Sequence, residues 1–102
     1  MDHCKPSGQI TASQVVTAKA GLLFGLILTG AAAAASTIDL YDHATLASGD
    51  RLVPQISFIA TADNDRIKVI TFPVPVKFFN GLYLNITTTA GTLNAEVYFK
   101  ND

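Results

Sequence analysis

AKAGLLFGLILTGAAAAAS, residues 18–36, is the stretch whose reading decides the fold. A lysine, an apolar run and a tail of alanines suit a secretory leader, a membrane-spanning helix or a buried strand. Lys19 ahead of the apolar run, with small residues from Ala31 to Ala35 for cleavage, favours a leader. Against it, the region before the apolar run would be long, Asp2 offsets Lys5 within it, and it contains QITASQVVTA, itself strand-like. A spanning helix fits worse, because Ala20 to Ala35 falls about four residues short of the roughly 20 needed. Gly21, Gly25, Thr29 and Gly30 interrupt it as well. Read with period two, Leu22, Phe24, Leu26 and Leu28 point one way, and Leu23, Gly25, Ile27 and Thr29 the other. A strand apolar on both faces is covered on both, inside a sandwich or between subunits. The strand reading is carried forward, with Leu22, Phe24, Leu26, Ile27 and Leu28 as the candidate self-association strand.

The chain has 102 residues, which suits a single domain. Seven basic residues against eight acidic ones give a net charge of −1. They form no run, so neither nucleic acid nor a membrane is expected as a partner. Charged residues make up 15% and hydrophobic ones 49%, which leaves little polar cover and points to a partner, another copy of the chain included. The single Cys4 excludes an internal disulfide framework.

Outward from the opening stretch, the chain reads as short strands divided by turn signals, and no helix is expected. Residues 1–8, MDHCKPSG, form a polar arm, loose or draped on a neighbour. His3, Cys4, Lys5 and Pro6 are its candidate docking residues. QITASQVVTA supplies one or two strands. In TIDLYD, Ile38 and Leu40 face opposite to Thr37, Asp39 and Tyr41. HATLASGD is a loop, and RLVPQISFIAT reads as an irregular strand whose start Pro54 demotes to an edge or bulge. TADND is a turn. RIKVITF alternates, PVP bends the chain, and VKFF is a further short strand. Asn80-Gly81 is a hairpin signal. GLYLNITT places Leu82, Leu84 and Ile86 on one face, and LNAEVYF closes the sheet. The expected fold is all-β: a flexible arm over residues 1–8 and one compact domain over residues 9–102. That domain is a β-sandwich or jelly-roll-like barrel of about eight short antiparallel strands.

Catalytic and metal signals are sparse. His43 beside Asp42, near Asp39 and with Ser48 as a nucleophile, reads better as a solvated loop. His3 and Cys4 are too few for zinc, which takes three or four converging ligands. Asp63, Asn64 and Asp65 lack the closing glutamate of a calcium loop. Asn85-Ile86-Thr87 matches a glycosylation sequon inside an expected strand. Phe78, Phe79, Tyr83, Tyr98 and Phe99 read as core or interface packing rather than base or sugar stacking. The expectation is a non-enzymatic protein without cofactor or metal.

The segments STIDLYD at 36–42, ASGD at 47–50, FPVPVKFFNGLYL at 72–84 and AEVYF at 95–99 carry a resemblance. In order and spacing they resemble a small all-β virion protein family of tailed bacteriophages and gene transfer agents. That family shows T-x-x-L-Y-D, a Ser-Gly loop, F-P-x-G-V-x-F-x-N-G-L-Y and a closing V-Y strand. The likeness covers roughly residues 10–100. Pro75 stands where the pattern has glycine, and proline cannot take left-handed angles, so that turn differs. The resemblance implies a decoration (cement) protein on the capsid exterior, a homotrimer bound to the major capsid protein, assembled in the bacterial cytoplasm. It also implies that GLLFGLILTG is an internal strand. Two alternatives remain: the base or adaptor of a head spike or tail fibre, and an exported carbohydrate-binding β-sandwich with a cleaved leader.

Overall fold

The computed structural model describes residues 4–30, 34–45, 49–60 and 66–102. Among them lie eight strands: β1 (Lys5–Pro6), β2 (Gln14–Thr17), β3 (Gly21–Gly30), β4 (Ala35–Tyr41), β5 (Ile56–Ile59), β6 (Arg66–Phe78), β7 (Leu82–Ala90) and β8 (Leu93–Asn101). They form two four-stranded sheets, A in the order β1-β8-β3-β6 and B in the order β2-β7-β4-β5. Every pairing is antiparallel. The fold is an all-β sandwich.

The pairs β1·β8, β2·β7, β3·β6 and β4·β5 describe one long ribbon folded at the β4–β5 link. Rolling that ribbon up adds β8·β3 and β7·β4, so every link except β4–β5 crosses between sheets. This is jelly-roll connectivity. Asn80-Gly81 therefore joins two sheets and is not the hairpin turn its sequence suggests. Its local chemistry still serves a tight turn: Gly81 has φ +148, and a Cβ there would stand 2.8 Å from Thr17 O. The Asp42 carboxylate caps the same turn, accepting the N–H of Phe79 at 3.0 Å and of Asn80 at 2.7 Å.

The decisive stretch is β3, held between β6 and β8 in the middle of sheet A. Its alternation breaks at Phe24. On β8, Phe99 pairs Leu23 and Tyr98 pairs Gly25, leaving Phe24 as an extra residue. Such a bulge reverses the parity of everything beyond it. Leu23, Leu26 and Leu28 consequently share the core, while Leu22, Phe24, Ile27 and Thr29 are only half-buried. Opposite the bulge, β6 carries Phe72 to Pro75 between the partners Thr71 and Val76. PVP thus bends β6 without ending it, since an edge strand tolerates prolines that a central one cannot. Gly25 admits this geometry, because a Cβ there would lie 2.4 Å from Ile70 O.

The sequence reads residues 1–8 as a flexible arm, loose or draped on a neighbour. Instead, Lys5 and Pro6 pair Phe99 and Tyr98 of the chain's own β8. Ser7 N–H donates to Val97 O at 2.8 Å, and Val97 N–H donates to Ser7 Oγ at 2.9 Å. Ile10 exchanges both backbone hydrogen bonds with Ala95 and inserts its side chain into the core, at 1% exposure. The core between the sheets comes from alternate residues of every long strand, among them Leu26, Leu28, Ile38, Leu40, Phe58, Phe78, Leu84 and Val97.

Candidate functional site

The two outer faces of the sandwich differ in chemistry. On sheet B, register sets Tyr41 beside Tyr83, Asp39 beside Asn85 and Thr37 beside Thr87. Asp39 is 3% exposed although it faces away from the core. The segment before β5 folds over it. Arg51 Nε approaches Oδ1 at 3.2 Å, and Gln55 Nε2 donates to Oδ2 at 3.2 Å. The arginine contact is a charge contact, not an aligned hydrogen bond, so Oδ1 has no hydrogen-bond donor. Arg51 also lies over the Tyr41 ring, 5.8 Å from its centre. Hydrogen bonding to Tyr41, and after it the charge of Asp39, pushes the arginine pKa up. Ser13 Oγ accepts the N–H of Ile86 at 2.8 Å and donates to Asn85 Oδ1 at 3.1 Å. The sequon asparagine is thus engaged within β7. The middle of this face is polar, with exposed Ile59 on its β5 edge, and Asp39 Oδ1 is the buried side-chain atom without a hydrogen-bond partner among the described residues.

On sheet A the outer face is apolar at its centre. Phe24, Ile27, Val69 and Tyr98 line a shallow groove of about 190 Å³, and exposed Cys4 stands at its rim. Val69 and Ile67 on β6 are 61% and 69% exposed. Tyr98 Oη donates to Glu96 Oε1 at 3.0 Å, and that hydrogen bond is the main cause that pushes the tyrosine pKa up.

Of the candidate self-association residues, the fold gives Leu22, Phe24 and Ile27 to this face and Leu26 and Leu28 to the core. Strict alternation had grouped Leu22 and Phe24 with Leu26 and Leu28; the bulge at Phe24 separates them. Of the candidate docking arm, Lys5 and Pro6 pair with β8, Cys4 is exposed, and His3 lies outside the described residues. Ser48, Asp63, Asn64 and Asp65 also lie outside them. His43 Nδ1 accepts the Thr45 N–H at 3.1 Å, while the neighbouring Asp42 caps the β6–β7 turn. The named aromatics divide as well: Phe78 and Phe99 are core, Tyr83 is on sheet B, Tyr98 is on sheet A, and Phe79 is 70% exposed. Among the described residues, no three His, Cys, Asp or Glu side chains converge as metal ligands. No helix there is long and apolar enough to cross a membrane, which leaves membrane crossing by strands unaddressed.

Sequence reasoning missed the Asp39–Arg51–Gln55 cluster. Its signal was present in TIDLYD, where an acid sits on an otherwise alternating strand, but its partners come from a separate segment. Comparison with known proteins finds no matching family model, no similar curated protein and no similar solved structure.

Proposed function

We propose that the chain is a virion structural protein. On this reading it binds the outer surface of a tailed-phage capsid as a decoration protein that stabilises the head lattice, without catalysis. The observation that carries the reading is the order and spacing of the four segments between Ser36 and Phe99. Two of them supply much of β4 and β8, and a third runs from the bend of β6 into β7. Jelly-roll connectivity supports the reading by analogy alone, since such folds serve both virion and lectin modules. An apolar outer face on a small rigid module suits a protein whose work is contact.

The test uses bare capsids of a tailed phage, incubated with the purified chain, pelleted and imaged. Saturable binding at repeated lattice positions, with a higher temperature of capsid rupture, is the expected result. Attachment confined to vertices or the tail would replace this reading with the spike or fibre adaptor. Absence of binding across capsids from several hosts would overturn both.

A further inference from the structure

The outer face of sheet A is built in rows across β8, β3 and β6. Cross-strand register aligns Glu96 with Ile27 and Val69, then Tyr98 with Gly25 and Thr71, then Lys100 with Leu22 and Lys77. Phe24, the bulged residue, lies beside Gly25 in the middle row. An acid therefore stands one row to one side of Tyr98 and a base one row to the other. Apolar Ile27 and Leu22 flank the same row on the neighbouring strand.

This arrangement is complementary to itself. Let a second copy be turned over about an axis lying along the Tyr98–Thr71 row. Each β8 then crosses its counterpart in the opposite direction. Lys100 meets the partner's Glu96, Leu22 meets the partner's Ile27, and the Phe24 and Tyr98 rings of both copies meet near the axis. With the two-fold axis along the strands instead, β8 would lie over the partner's β6, setting Lys100 on the partner's Lys77 and Glu96 on the partner's Val69. We infer that the outer face of sheet A is a two-fold interface, occupied by a second copy of this chain.

Three observations point to that occupant. The apolar centre is open: Val69 and Ile67 are largely exposed, and the groove beside Phe24 has space for a side chain. On β8, Glu96 and Lys100 sit two residues to either side of Tyr98, as an isologous contact requires, while Lys77 on β6 is held by Asp102 and would lie over the partner's Val69. The area also fits a reversible pair. Three strands about 4.8 Å apart over roughly 30 Å give about 430 Å² per copy, the size of a weak, transient contact. The pairing is therefore concentration-dependent, and it closes with two copies because one patch meets itself. It concerns the free protein, and its test needs no capsid.

The experiment is sedimentation equilibrium of the purified chain over a rising concentration series, with native mass at each step. A monomer–dimer equilibrium is expected. Glu96→Lys and Lys100→Glu each set like charges across the axis twice, and each should weaken pairing about tenfold. The charge-swapped double variant should return to within about threefold of the natural chain, since its pairs are opposite again. Circular dichroism checks that every variant stays folded. Ile27→Asp, on the same face and away from the core, supplies a further break should either charge variant misfold. A chain monomeric at every concentration, a discrete trimer, or a folded double variant as weak as the singles would overturn the two-fold interface.

Discussion

Phe24 shows how one residue can redirect a face. Without the bulge there, period two would carry Leu22 and Leu26 to the same side; with it, Leu22 stays outside and Leu26 enters the core. Tyr98, which pairs across from Gly25 beside it, carries a consequence readable by titration. Its hydroxyl donates to Glu96, and ionisation would place two negative charges together, so its pKa rises above the ordinary value near 10. In the unfolded chain this partner is lost and the tyrosine ionises first. The stabilisation is thus complete below pH about 10 and is lost as pH rises through the folded value. Ultraviolet titration of the natural chain and of Glu96→Gln should show one tyrosine moving down toward the ordinary range in the variant. An unchanged curve would mean that the Tyr98–Glu96 hydrogen bond does not form in solution.

The strand β3 tests the bulge as an element. Leu26 and Ile27 are neighbours in sequence and similar in size, but only Leu26 lies in the core. Leu26→Ala should cost about 2–5 kcal/mol, the range for emptying a packed leucine site. Ile27→Ala, on the outer face, should cost less than about 1 kcal/mol in the monomer. Urea unfolding at low concentration measures both. Equal losses would place the register shift elsewhere. The prolines of β6 belong to the same account. Pro73 and Pro75 fall where β6 swings away from β3, so no ladder hydrogen bond is demanded of them.

Across the whole molecule, the first residues and the last strand depend on each other. The arm closes sheet A against β8, and Ile10 fixes it to the core from the start of the ribbon. Ile10→Ala should therefore destabilise the chain by about 2–5 kcal/mol, as for a core isoleucine rather than a tail residue. A loss below about 0.5 kcal/mol in urea unfolding would return the arm to the loose state its sequence suggests. The proposed pairing belongs to this scale too. Composition pointed to self-association, and the resemblance pointed to three copies. The row pattern of sheet A favours two, because acid and base lie on opposite sides of one central row.

The sequence by itself determined the strand class, most strand positions, and which alternate residues of β4 and β7 share a face. These follow from period two and from turn residues, both local properties of the chain. It also marked GLLFGLILTG as a segment needing cover on both sides. Only the tertiary structure decided where the alternation breaks, since the bulge at Phe24 depends on what β8 and β6 present across from it. The sheet membership of β6 and β7 was likewise beyond local reading, because a turn signal such as Asn80-Gly81 specifies a reversal and not the layer entered afterwards. Asp39 makes the same point about the candidate surfaces: its alternation with Ile38 and Leu40 was legible, but its burial under Arg51 and Gln55 arises from segments brought together only when the ribbon rolls up.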